Sequence, residues 1–409
     1  MLTLASIRSA ARLAAADRFH TTPMHFATTL DRRLGTQGRL HLKLELLQRT
    51  GSFKVRGASA KIDSLSDRER ARGIIAASAG NHAQGVALAA RSLGAHVRVV
   101  MPEYAPLTKR EATESYGAEI VLFGSSYDDA YRHARELQER DGMTFVHAFD
   151  DDVVMAGQGT IGLEILEQAP DVSAVVCPVG GGGLIAGVAT AIKAIRPQVR
   201  IIGVQSSGAD SAVASFHAGH RVPRRAGETI ADGIKVLQVG ERTLELILRH
   251  VDAMVTVDDL RICRAVLMLD EHAHLAAEPA GAVPIAALLD GGLSDELPSS
   301  GSIVAIVTGG NMDTFEKTRY VRRALAAERR RLHVRVQLPD RRGVSPRRMA
   351  ELFGLLAAHE VNILEAAYRR CSLDVPLGNV EVELLLETRG AADADAVSTS
   401  LAGAGFPPA

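Results

Sequence analysis

Lysine is scarce in this chain. Of 47 basic residues only seven are lysines, at positions 43, 54, 61, 109, 193, 235 and 317, so chemistry that needs an amine has few candidates. Cysteine is scarcer still: Cys177, Cys263 and Cys371 stand far apart without metal-ligand spacing. That argues against a disulfide framework and fits a reducing cytoplasm. Neither sign of charge is in excess, since the net charge is −1 and the pI about 6.9, so neither nucleic acid nor a membrane is expected as a partner. No apolar run reaches the roughly 18 residues of a spanning helix, and a soluble protein is expected. Arg8, Arg12 and Arg18 among alanines faintly resemble a targeting helix, but Asp17 interrupts it and the stretch reads as a plain N-terminal helix.

What is present is ordered α/β grammar. At 409 residues the chain exceeds one compact core, so two or three domains are expected. Residues 41–45 alternate as a strand that delivers a loop centred on Lys54, and residues 55–65 carry helical spacing. Short apolar runs at 73–77, 96–101 and 303–307 read as buried strands, and 119–123, 174–178 and 201–205 read as strands. Helical patterns stand between them at 83–93, 106–117, 126–142, 160–168 and 184–196, with further helices at 243–249 and 259–272. The stretch 150–158 reads as a polar interval. Strands alternating with helices at this spacing predict a parallel sheet, here in two α/β lobes. After a charged run at 326–331 the grammar changes: strand 332–338, helix 346–359, strands 361–370 and 379–387, helix 391–401. That β-α-β-β-α order in about 75 residues approaches a ferredoxin-like α+β unit, suited to regulation or assembly.

Four stretches carry candidate chemistry. Lys54 follows Gly51, Ser52 and Phe53 and precedes Val55, Arg56, Gly57 and Ala58. Desolvation among such neighbours would lower its pKa and make the amine nucleophilic; alone, it reads equally as an ordinary basic residue where a loop meets a helix. Gly180, Gly181, Gly182 and Gly183 follow a strand and open a helix, where backbone amides and the helix dipole suit a phosphate. The spacing is neither a Walker loop nor the usual dinucleotide fingerprint. Ser78, Ala79, Gly80, Asn81 and His82 occupy the equivalent place in their own β-α unit. Ser78 and nearby amides could hold a carboxylate, and the Asn81 amide can both donate and accept; both residues could instead cap the helix. Thr308-Gly309-Gly310-Asn311 ends the last core strand, where open α/β sheets collect ligands.

As a set, these motifs closely resemble those of the threonine dehydratases (threonine ammonia-lyases) of the fold type II pyridoxal phosphate family. The residues concerned are 47–54 with Arg56-Gly57-Ala58, 78–85, 180–183, Glu278-Pro279-Ala280-Gly281-Ala282 and 308–311, in order from about Thr22 to Asp313. The tail resembles an ACT regulatory domain. The resemblance implies a large lobe over residues 1–50 and 151–322, a small lobe over 51–150, a linker at 323–331 and an ACT-like domain over 332–409. It implies pyridoxal 5'-phosphate held by Lys54 as an internal Schiff base, its phosphate on Gly180, Gly181, Gly182 and Gly183. Asn81 would bond the ring 3-hydroxyl, Thr308 would face the pyridine nitrogen, Phe53 would stack near the ring and Glu278 would lie close to ring and substrate. The loop from Ser78 to His82 would take the substrate carboxylate, with no catalytic role for His82. A hydroxyl opposite the ring nitrogen makes a weaker electron sink than a carboxylate does, which favours quick β-elimination. Lys54 would remove the Cα proton, and the β-hydroxyl would leave with proton help from the cofactor phosphate.

The departures matter too. Relatives that racemise serine carry a second serine where this chain has Ala79, so poor racemisation is expected, with Lys54 as the one base at Cα. Those relatives hold a divalent cation through acidic groups where this chain has Gln205 and Ser211, so no metal site is expected. Leu46 stands where many relatives have asparagine. In the tail, residues 340–344 resemble the ACT effector loop with Arg342 in place of the usual proline. The expected reaction is α,β-elimination of L-threonine to 2-oxobutanoate and ammonia, with L-serine to pyruvate weaker. The alternatives are a dehydratase of serine or 3-hydroxyaspartate, β-replacement of the cysteine synthase kind, and a non-catalytic amino-acid sensor. An isoleucine- or valine-sensing tail, a dimer or tetramer and a cytoplasmic location complete the expectations. Isoleucine synthesis and threonine breakdown both stay open as roles.

Overall fold

Two sheets organise residues 1–314. The computed structural model describes residues 1–224, 227–370 and 375–407, and the chain divides into the units Met1–Thr314 and Phe315–Ala409. Cys371 lies outside the described residues. The six-stranded sheet runs Met24–Phe26, Leu40–Leu44, Ser302–Val307, Val172–Pro178, Arg200–Ser206, Ala253–Val257 across its width. All its pairings are parallel except that of the three-residue edge strand Met24–Phe26. Every residue of Ser302–Val307 is buried. A parallel sheet covered by helices on both faces needs continuous apolar strands rather than alternation. The four-stranded sheet is wholly parallel, in the order Glu119–Leu122, Val97–Met101, Ile74–Ala77, Thr144–Phe145.

Most buried strands expected from the sequence appear within a residue or two. One stretch differs. The interval 150–158 is polar only at its start: helix Asp152–Gln168 begins there, with the Asp151 carboxylate accepting from the amides of Val153 and Val154 at 2.8 and 3.0 Å. Its glycines mark close helix crossings rather than breaks. A Cβ on Gly157 would lie 2.5 Å from the Arg56 carbonyl oxygen, and one on Gly159 would lie 2.9 Å from that of Gly187. Side chains at those positions would push apart the helices Lys54–Asp63 and Gly183–Lys193 that pack there. Strand Ala253–Val257 and helix Pro279–Leu288 also lie outside the expected elements. The helix is apolar all round, so it carries no amphipathic period to read.

In the second unit, helix Thr314–Ala327 is followed by strand Arg331–Pro339, helix Ser345–Ala358, strands Asn362–Arg369 and Asn379–Glu387, and helix Ala391–Gly403. The three strands form an antiparallel sheet with the third in the middle, which is the β-α-β-β-α unit expected. Along Arg331–Pro339 the buried residues alternate, and Val334, Val336 and Leu338 pack with Leu352, Leu356, Val397 and Leu401. The charged run at 326–331 is a helix end, a short turn at 328–330 and the first residue of a strand.

Candidate active site

Three of the four candidate loops leave neighbouring strands. Leu40–Leu44, Ser302–Val307 and Val172–Pro178 are adjacent and parallel, so the Lys54 loop, Thr308 and the glycine turn start within about 10 Å of one another at the carboxyl edge, two strand spacings. The fourth loop, residues 78–82, leaves the interior strand Ile74–Ala77 of the other sheet.

Hydrogen bonds stitch the Lys54 loop to the neighbouring strand end. The Phe53 amide donates to the Thr308 carbonyl at 3.1 Å, the Gly310 amide donates to the Gly51 carbonyl at 3.0 Å, and Ser52 bridges to Gly309. Gly51 has φ +68°, and a Cβ there would meet the Asn311 side chain at 2.4 Å, so no other residue fits this turn without strain. The helix then opens on Lys54. The Lys54 amine donates to the Ala148 carbonyl at 3.0 Å and lies 5.2 Å from the centroid of the Phe53 ring. Burial lowers its pKa to about 8, against the smaller pull of Glu278 in the other direction. At that value an appreciable share of the amine is neutral near physiological pH, as a nucleophile requires.

Glu278 is itself buried, and its carboxyl is pushed up to about 7 by desolvation, with the hydrogen bond from Asn81 opposing. The Asn81 amide donates to Glu278 Oε1 at 2.7 Å, and its carbonyl oxygen accepts from Asn311 Nδ2 at 2.9 Å. Asn311 Nδ2 also donates to the Thr50 carbonyl at 2.7 Å. Asn81 is thus the first residue of its helix but does not cap it. The cap position is Gly80, with no side-chain cap bond, and the Ser78 hydroxyl accepts from the Gly80 amide at 3.1 Å. Space around Gly80 is open. His82 turns inward, its Nε2 3.0 Å from the Val146 carbonyl, and burial followed by the nearby Lys54 holds it neutral with a pKa of about 3. Ala79 is half-buried and brings no ionisable group to the loop.

The glycine turn is the most constrained part of the site. Gly182 has φ +94° and opens helix Gly183–Lys193. A Cβ on Gly180 would meet Ile234 at 3.0 Å, one on Gly181 the Phe149 ring at 2.4 Å, and one on Gly183 the Phe149 carbonyl oxygen at 2.8 Å. Thr308 is buried at its strand end, and the nearby hydroxyls of Thr50 and Ser52 are buried without a protein hydrogen-bond partner. A poised amine, an amide-lined turn at a helix N-terminus and unspent hydroxyls in the Lys54 loop fit a ring that carries an aldehyde and a phosphate. Where acidic cation ligands were expected to be missing, Gln205 Oε1 instead accepts from the amides of Ala212 and Val213 at 3.0 and 3.1 Å, and the Ser211 hydroxyl donates to the Val236 carbonyl at 3.2 Å. Among the described residues no group of three or more His, Cys, Asp or Glu could hold a metal ion.

Sequence reasoning missed three contributors. Ala148 acts through a carbonyl, which no side chain announces. Phe149 stands just before the stretch 150–158 that reads as a polar interval, outside any expected element. Asn311 lay in a recognised motif but its link to Asn81 depends on tertiary packing.

Residues 16–309 match the family model described as pyridoxal-phosphate dependent enzyme. The chain belongs to that family, and its core is the two-lobed fold type II architecture. It is 45% identical over 389 residues to an L-threonine ammonia-lyase of Thermotoga maritima, covering 95% of this chain and 94% of that one. Among solved structures it is similar to the processed form of threonine deaminase isoform 2 from Solanum lycopersicum, with a TM-score of 0.74 and 41% identity over 78% of this chain and 93% of that one. Maize serine racemase is similar as well, with a TM-score of 0.73 and 35% identity over 80% of this chain and 99% of that one.

Proposed function

We propose that this chain converts L-threonine to 2-oxobutanoate and ammonia, and more slowly L-serine to pyruvate and ammonia, using pyridoxal 5'-phosphate. The observation that carries the reading is the Lys54 amine, donating to the Ala148 carbonyl at 3.0 Å from a loop that shares its sheet edge with Thr308 and the glycine turn, in a chain 45% identical to an L-threonine ammonia-lyase. The cofactor, when bound, supplies an aldehyde that condenses with amines and a ring that draws electron density from the substrate Cα.

The chain's own residues do the rest. Lys54 anchors the cofactor and then, with its amine free and neutral, removes the Cα proton; the Ala148 carbonyl gives the resulting ammonium a hydrogen-bond acceptor. Residues 180–183 hold the phosphate by backbone amides, and Thr308 offers a neutral hydroxyl to the ring nitrogen. Asn81, tied between Glu278 and Asn311, presents its amide to the ring hydroxyl. Phe53 packs near the ring. Ser78, Ala79, Gly80, Asn81 and His82 form the backbone turn that takes the substrate carboxylate, the His82 ring facing away. With Ala79 bringing no second base, a proton leaving Cα returns by one face, so racemisation is slow.

Three further assignments accompany this reading. Residues 51–150 form a small α/β lobe, the C-terminal β-α-β-β-α unit is an ACT-like sensor of isoleucine or valine, and the chain works as a dimer or tetramer in the cytoplasm. Among the described residues no helix is long and apolar enough to cross a membrane. Turnover of threonine, serine and 3-hydroxyaspartate by the purified protein tests the substrate: threonine is expected to have the highest kcat/KM, and negligible turnover of threonine beside rapid turnover of another substrate would overturn the choice. Threonine saturation curves that isoleucine and valine leave unchanged would remove the sensing role.

A further inference from the structure

We infer that Phe149 is a positioning residue for the cofactor phosphate: its ring is the wall against which the glycine turn is moulded. This rests on reading residues 180–183 as the phosphate site. Phe149 belongs to a short connection, residues 146–150, that leaves the last strand of the four-stranded sheet, Thr144–Phe145, and enters helix Asp152–Gln168. Residues of this connection touch three parts of the site. The Val146 carbonyl faces His82, the Ala148 carbonyl accepts from the Lys54 amine, and the Phe149 ring and carbonyl stand where Cβ atoms of Gly181 and Gly183 would be.

The connection is rigid on its own account. His147 Nδ1 accepts from the amides of Phe149 and Asp150 at 3.2 and 2.8 Å, and the two rings meet edge to face with centroids 4.7 Å apart. On the far side, Asp150 accepts from the amides of Glu241 and Thr243, each at 3.1 Å, while the Thr243 hydroxyl and the Gly240 amide donate to the Gly181 carbonyl at 2.7 and 3.2 Å. Gly181 is therefore fixed from both sides, by hydrogen bonds to its carbonyl and by the Phe149 ring against its Cα. Fixing that peptide fixes the direction of the amides that follow it at the helix N-terminus, and a dianion is held well only by donors already aimed at it. Three glycines instead of one or two are then required by contact with Phe149 and by φ at Gly182, not by the ligand alone.

The test compares affinities for pyridoxal phosphate and for pyridoxal, which lacks the phosphate, by titrating cofactor-free protein and following visible absorbance and protein fluorescence. Phe149→Ala should weaken pyridoxal phosphate binding by at least roughly tenfold, the worth of about one charge-assisted hydrogen bond, and leave pyridoxal binding unchanged. Phe149→Leu, which keeps apolar bulk for folding, should fall between. Gly181→Ala should weaken pyridoxal phosphate binding further, and Phe149→Ala with Gly181→Ala should bind it more tightly than Gly181→Ala alone, because the new methyl occupies the space the ring vacates. Equal losses for both ligands in Phe149→Ala, or strictly additive losses in the pair, would overturn the proposal. A Gly181→Ala protein with wild-type preference for pyridoxal phosphate would overturn it in a different way, by showing that the glycine turn does not hold the phosphate.

Discussion

Lys54 and Arg56 lie two residues apart at the start of one helix, and the protein treats these two cations in opposite ways. Arg56 is fully buried and boxed in by carboxylates: its guanidinium bonds both oxygens of Glu45 at 2.8 Å and both of Glu164 at 2.6 and 3.0 Å. Burial works against its charge, but the two carboxylates more than offset that and hold it firmly charged. Lys43 completes the cluster, its ammonium 2.5 Å from Glu164, so two cations face two anions. Lys54 meets only a neutral carbonyl, and the nearest carboxyl acts on it through space. A cation given full partners becomes a fixed strut, while one given half of them becomes a reagent. Helical geometry lets adjacent positions do both, because residues two apart point to different faces.

Removing Lys54 should have the largest effect. Lys54→Ala should lower formation of 2-oxobutanoate from threonine by roughly 10⁴-fold, since it removes the amine that takes the Cα proton, while urea unfolding of the cofactor-free protein changes little. Arg56→Met should do the reverse. It strands Glu45 and Glu164 in the interior, and the unfolding free energy should fall by about 3–5 kcal/mol; a loss no larger than that of a surface substitution would mean the cluster is not a strut. Arg56→Lys should recover part of the difference.

A smaller effect sharpens the contrast. The charge on Glu278 raises the Lys54 pKa against burial, so Glu278→Gln should let it fall. The rate at which cofactor-free protein captures pyridoxal, which requires neutral amine, should rise with pH around 8 in the parent protein and at lower pH in the variant. The sign also shows in stability. Lys54 titrates at about 8 in the folded protein against an ordinary 10.5, so between those values the unfolded chain binds more protons and stability gains as pH rises. Lys54→Met should remove that gain.

The strut and the reagent were not equally legible. Lys54 could be singled out because lysine is rare and its loop sits in a motif of small and aromatic residues. Arg56 was visible only as a letter in that motif, since Glu45 and Glu164 are 11 and 108 positions away and nothing local announces their convergence. The buried strands were readable because sheets covered on both faces demand unbroken apolar runs. Helix Asp152–Gln168 was half hidden because the glycines that let it pack closely also imitate a loop. The glycine turn could be located, but the Phe149 wall behind it depends on contact between segments about 30 residues apart.

The proposed chemistry depends on which lysine carries the cofactor. Borohydride reduction of the protein loaded with pyridoxal phosphate, followed by peptide mass mapping across the seven lysines, addresses it directly. The visible absorbance should disappear and the reduced pyridoxyl group should be found on Lys54 alone. Stoichiometric label on another lysine, or a loaded protein with no reducible chromophore, would contradict it.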